Sequence, residues 1–213
     1  MLVKFLGSLG LLVLAVAAYW YCHRPLHYPP GVLINTDPGQ VLLPENASPI
    51  TQGAFVLKPL AVFSVDARLL HKRIYRYDAG ATLVPVDLAL GWGPMSDQQV
   101  LDQLNISQSM RCYWYEYKLP PPIPAAEIIC HSSNMHIIPA TPEVASRCKS
   151  LRVGALVHLI GDLVEATGPG ITNWRSSLSR SDTGNGACEL FYVQEIDEIS
   201  PDVTAEKRVL ATK

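Results

Sequence analysis

Charge is scarce in this chain. Acidic and basic residues make up 17% of its 213 positions, below the ~25% usual for soluble domains. No CxxC or HExxH spacing is present, so no compact zinc or redox motif is spelled out. No GxSxG elbow occurs, and residues 173–189 hold no SxxK pair, which leaves serine chemistry there without a recognised scaffold. There is no cationic excess either. Outside Lys4 and Arg24 the chain carries 15 basic and 19 acidic residues, a net of −4. Such a balance argues against non-specific nucleic-acid binding, which needs a broad positive field. No cofactor is implied.

One long apolar run is present. Phe5 to Tyr21 holds no charge, with Lys4 before it, Arg24 after it, and Tyr19, Trp20 and Tyr21 at its exit. Its length is near the lower limit for crossing a ~30 Å hydrocarbon core, and an aromatic exit matches a membrane–water interface. Residues 1–24 are therefore expected to form a transmembrane anchor. A cleaved secretory signal is the alternative, because Ala15-Val16-Ala17 fits a small-x-small cleavage site. The expectation is a single-pass protein of the bacterial inner membrane with its globular domain in the periplasm.

Five cysteines bear on that expectation. Cys112, Cys130, Cys148 and Cys188 lie in the folded part and allow two disulfides in three pairings, with Cys22 left over. Four buried thiols are the plainer alternative.

Proline punctuates residues 25–52, at 25, 29, 30, 38, 44 and 49, so this stretch reads as a tether with short apolar patches at 31–34 and 41–43. Residues 53–200 read as one β-rich domain and 201–213 as a frayed tail. Apolar, β-rich runs occur at 54–65, where the internal Pro59 predicts an edge strand or two short ones, and at 83–90. The clearest helix prediction starts at Ser96 as N-cap, with Val100, Leu101 and Leu104 on one face. Tyr113, Tyr115 and Tyr117 alternate, which predicts a strand. Thr141-Pro142 can cap and open a short helix. Short strands between Gly and Pro turns predict a mainly β (α+β) fold, a small OB-like or SH3-like barrel with one or two helical insertions. The phrase 153–161, VGALVHLIG, is read as the opening, strongly curved strand of an OB-like barrel.

Four clusters are candidate sites. Gly91 to Met95 places Trp92 in a turn before a helix, either as a stacking face or as a core plug. Cys130, His131 and His136 carry the metal-ligand character in the chain, with no fourth ligand nearby. Residues 173–189, NWRSSLSRSDTGNGACE, gather hydroxyls and guanidiniums. Here Arg175 and Arg180 can hold a small anionic ligand. Ser176, Ser177 or Ser179 can serve as a nucleophile, with His131, His136 or His158 as base and Asp182 to orient it. The plainer reading is a turn whose hydroxyls tie down backbone groups. Arg68, His71, Lys72, Arg73 and Arg76 beside Tyr75 and Tyr77 can meet nucleic acid or lipid headgroups, or form a solvated face.

Taken together, GWGPMSDQQVLDQL, SSNMHIIPA and SSLSRSDTGNGACE resemble blocks of a group of short bacterial proteins with one N-terminal membrane segment. The resemblance spans about residues 60 to 196 and implies a bacterial, exported domain, with no activity to transfer. The leading expectation is a membrane-tethered extracytoplasmic binding or assembly module without catalytic activity. Its contacts would be Trp92, Trp114, Trp174, Arg175 and Arg180, and its partner another envelope protein or itself. The alternatives are a serine hydrolase of the cell envelope and an OB-like nucleic-acid-binding domain facing the cytoplasm.

Overall fold

A computed structural model describes residues 14–22, 24–184 and 186–201. Residues 14–22 are helical, with Tyr19, Trp20 and Tyr21 exposed. Among the described residues no helix is long and apolar enough to cross a membrane. The first part of the Phe5–Tyr21 run, and most of the expected tail at 201–213, lie outside the described residues.

The described chain is mainly β, with one large sheet and a few short helices. The strands are β1 (Gly39–Leu42), β2 (Ile50–Gln52), β3 (Phe55–Ile74), β4 (Val86–Gly91), β5 (Leu104–Ser109), β6 (Cys112–Tyr117), β7 (Ser132–Pro139), β8 (Leu156–Gly168), β9 (Ile171–Arg175) and β10 (Glu189–Glu198). The helices are α1 (Gln98–Leu101), α2 (Ala125–Cys130) and α3 (Pro142–Ser150).

β3 organises the sheet. It pairs antiparallel with β8 from Val56 to Arg68, and with β4 from Arg68 to Ile74. β4 pairs with β7, β7 pairs in parallel with β10, and β10 pairs with β8, so the ladder returns to β3. β5 and β6 form a separate two-stranded sheet.

Pro59 does not split β3 into two pieces or confine it to an edge. The β3–β8 register shifts between Pro59 and Ala61, and a bulge is where a strand tolerates a missing N–H. Gly161 in β8 serves close approach. A Cβ there would lie 1.9 Å from the Tyr192 carbonyl oxygen. The phrase 153–161 thus does hold a strand with a structural glycine, but the first long strand of the sheet is β3, which begins about 100 residues earlier in sequence.

The main core gathers Phe63, Leu69, Leu88, Trp92, Met135, Leu159 and Phe191 between the strands. Phe63 and Phe191 meet edge to face at 5.2 Å. α3 adds Val144 and Cys148 to that core. It starts as read: the Thr141 hydroxyl accepts from Val144 N, and Pro142 occupies the first turn. The other helix is shorter than its pattern predicts. Asp97, not Ser96, caps α1. The Ser96 hydroxyl instead donates to Gly93 O and accepts from the amides of Leu33 and Ile34. Leu104 opens β5.

Those contacts place residues 26–34 against the domain. Leu26 N donates to Val153 O at 2.8 Å, Tyr28 N to Gln98 Oε1, and Gly31 N to Asp97. Ile34 is buried in the core, and β1 and β2 pair with β3. The prolines of 25–52 prevent helix, yet the segment is a strap along the domain and position 53 marks no break in packing.

Candidate functional site

The serine- and arginine-rich loop follows β9 and leads into β10. Its hydroxyls are spent on the loop itself. Ser176 Oγ donates to Ser177 O and accepts from Leu190 N. Ser177 Oγ donates to Asp182 at 2.7 Å and accepts from Ser179 N. Ser179 and Ser181 share a contact between hydroxyls. The histidines stand elsewhere: His131 Nδ1 lies against Glu127, His136 Nδ1 against Asp87, and His158 against Asp66. The serine, histidine and aspartate residues of the hydrolase reading are therefore not brought into one constellation.

Arg180 turns inward. Its Nη1 lies 2.8 Å from Glu189 Oε1, and its guanidinium stands over the Phe63 ring at 5.3 Å. Glu189 is 1% exposed and also accepts from Ser133 Oγ. Burial pushes this carboxyl up to about 7, against the pull of Arg180, Ser133 and its own backbone; Asp182 adds to the rise. Arg175 instead pairs with Glu165 on the surface.

A second buried network ties the β5–β6 hairpin to the large sheet. Arg111 reaches both oxygens of Asp78, Val84 O, and Asp87 Oδ1 at 2.9 Å. Asp87 is fully buried and lies 3.0 Å from His136 Nδ1. The guanidinium stacks on Tyr75 at 3.6 Å and stands 5.7 Å from Trp174, whose ring also packs on His136. Met110 and Arg111 make the hairpin turn at φ 49° and 64°, conformations in which non-glycine residues are uncommon.

Between these networks lies a cavity of ≈ 300 Å³. Its walls are residues 112–115 of β6, Ile129, residues 132–134 of β7, and Asp182, Thr183, Gly184, Ala187 and Cys188 of the loop before β10. Tyr113, Trp114 and Tyr115 give it an aromatic side, and Ser133, Asn134 and Thr183 a polar one. Asp182 is the single charged group among its described lining residues. Asn134 bridges the elements, donating to Arg111 O and to Cys188 Sγ. Burial holds the Cys188 thiol up at about 11 and the Tyr113 phenol at about 12, so both are neutral near pH 7. All five cysteines are free thiols.

Of the expected contact residues, Trp114 lines the cavity and is half exposed. Trp92 is 1% exposed and plugs the core, the plainer of its two readings. Trp174 flanks an open depression with Arg111 and Asp78. Cys130, His131 and His136 do not converge. No group of three His, Cys, Asp or Glu side chains is placed to hold a metal ion among the described residues. Glu189, Asn134, Asp87 and Arg111 were not singled out from the sequence; Glu189 pairs with Arg180 nine positions before it and with the distant Ser133, and the other three act through partners more than 20 positions away. No family model, curated protein or solved structure matches this chain.

Proposed function

We propose that this protein is a binding module without catalytic activity, held at the bacterial inner membrane by its N-terminal segment, with its domain in the periplasm. The cavity between β6, β7 and the 182–188 loop is its ligand site. The observation that carries this reading is convergence: three segments far apart in sequence meet around one partly enclosed, aromatic-sided space. Its volume is at the small end of the range of ligand pockets.

The fold supports the same reading. We read the circuit β3–β4–β7–β10–β8–β3 as a small closed barrel of OB type, with one parallel pairing, a helix between the third and fourth strands, and a strongly bent first strand. In such barrels ligands sit against the second and third strands and the loops beside them. Here β7 is the third strand, and the serine-rich loop lies after β9 in the connection from the fourth strand, β8, to the fifth, β10. Fold alone assigns no function. The net acidic charge and the lone Asp182 in the cavity favour a protein or small ligand over nucleic acid.

The apolar run Phe5–Tyr21 and the exposed aromatics at 19–21 support the anchor. With Leu26 already hydrogen-bonded to Val153, the domain would ride close to the bilayer rather than at the end of a long spacer. The partner is another envelope protein or a second copy of the chain. The test compares detergent-solubilised wild type with Thr183→Arg, which places bulk and charge at the cavity mouth. The wild type is expected to self-associate or co-purify with an envelope component that the variant loses. Equal recovery from both overturns the reading. A fluorophosphonate probe is expected to leave Ser176, Ser177 and Ser179 unlabelled; labelling would favour the hydrolase.

A further inference from the structure

We infer that the cavity accepts an extended peptide by strand addition, and that the peptide carries a basic residue toward Asp182. This rests on the binding reading above and names the chemistry of the partner.

The argument starts from strand edges. Successive side chains of a strand point to opposite faces. A strand that lines one space with consecutive residues therefore meets it along its edge. β6 does so with residues 112–115, and β7 with residues 132–134. Both edges are open there. Among the described residues β6 pairs only with β5. β7 has β4 on one side over Ser132–Asn134, but on the other side its pairing with β10 begins only at Met135. The cavity is thus a slot between the outer edge of the hairpin and the unpaired start of β7.

The hairpin register fixes which groups face the slot. Ser109 and Cys112 flank a two-residue turn, so they exchange hydrogen bonds, as do Ser107 with Trp114 and Asn105 with Glu116. The N–H and C=O groups of Tyr113, Tyr115 and Tyr117 then point away from β5. None has a ladder partner among the described residues. A row of free donors and acceptors spaced two residues apart matches the main chain of an extended polypeptide.

Side-chain chemistry narrows the occupant. Asp182 is the single charge on the described lining, and the next residue outward along β6 from Tyr115 is the exposed Glu116. Lysine or arginine on the peptide complements this edge, and an acidic peptide does not.

The test uses the full chain in detergent micelles and a displayed library of random heptapeptides. Selected peptides are synthesised with a fluorophore. They are expected to be enriched in Lys or Arg, to protect the amides of Tyr113, Tyr115 and Tyr117 from hydrogen exchange, and to bind about tenfold more weakly to Thr183→Arg. N-methylation at alternate peptide residues removes main-chain donors and is expected to weaken binding about tenfold or more. Peptides that tolerate N-methylation and leave the three amides unprotected would overturn strand addition while leaving the binding reading in place. A selection yielding no peptide sensitive to Thr183→Arg would overturn the peptide as occupant. The co-purification comparison above then judges the binding reading separately.

Discussion

Arg180 and Glu189 close the serine-rich loop onto the sheet, with 2.8 Å between guanidinium and carboxylate and the carboxylate 1% exposed. Nine residues of loop are returned to the start of β10 by this pair and by Ser177 N to Cys188 O. The same loop walls the cavity, so the ion pair sets the shape of the candidate site.

Two effects oppose each other at Glu189. Burial favours the neutral acid, and Arg180 favours the ion; burial prevails, and the carboxyl is pushed up to about 7 in the folded state from its ordinary 4.5. Between those two values the folded state holds more protons than the unfolded chain. Stability from this group is therefore fully present at low pH and falls as pH rises toward 7. Glu189→Gln removes the titration. The stability of the variant minus that of wild type is expected to rise by up to about 3 kcal/mol between pH 4.5 and 7.5. Urea unfolding at both pH values measures it. A difference that shrinks with rising pH would mean that the ion pair, not burial, dominates.

Arg111 is expected to be the more costly residue to lose. It is the cation of the fully buried Asp87. Arg111→Ala should destabilise by about 3–5 kcal/mol, because it strands a buried carboxylate. Met110→Gly beside it should be neutral or stabilising by up to about 1 kcal/mol, since glycine adopts its positive φ without strain. A loss below 1 kcal/mol for Arg111→Ala would remove the hairpin anchor from the description.

Ser176 and Ser177 are expected to behave as structural residues. Ser177→Ala leaves the Ser179 amide and Asp182 without their shared partner and should cost about 1–2 kcal/mol. The variant should unfold earlier in urea, with no change in any background esterase activity. A fall in such activity with stability unchanged would revive the nucleophile.

How much of this was legible in sequence depended on range. The alternation of Tyr113, Tyr115 and Tyr117 displays a period of two, and Thr141-Pro142 displays a cap; both are local signals, and β6 and α3 follow them. Ser176 to Asp182 looked chemically rich, and its plainer reading describes where the hydroxyls go. The hairpin turn at Met110-Arg111 carries no Gly, Asn or Asp, so no turn rule finds it. Its conformation is held by contacts with Tyr75, Asp78 and Asp87, 24 or more positions away. Asp87 sits in an apolar run, where only the fold reveals that Arg111 and His136 surround it. Pro59 was legible as an exception to strand pairing, but the bulge that admits it belongs to its register with β8.

The anchor makes its own expectation. A phosphatase fused to the C terminus should be active, as it is only outside the cytosol. An inactive phosphatase together with a fluorescent cytosolic reporter fusion would place the domain on the other side and favour the nucleic-acid alternative.

Site-specific photo-crosslinking in cells tests the cavity most directly. A photoreactive amino acid replaces Trp114 at the cavity, or Gln194 on the exposed surface of β10. The Trp114 position should give a discrete adduct with an envelope protein or a second copy of the chain, absent from the Gln194 position and lost on adding Thr183→Arg. Identical adduct patterns at both positions, or none at Trp114, would contradict a ligand site between β6, β7 and the serine-rich loop.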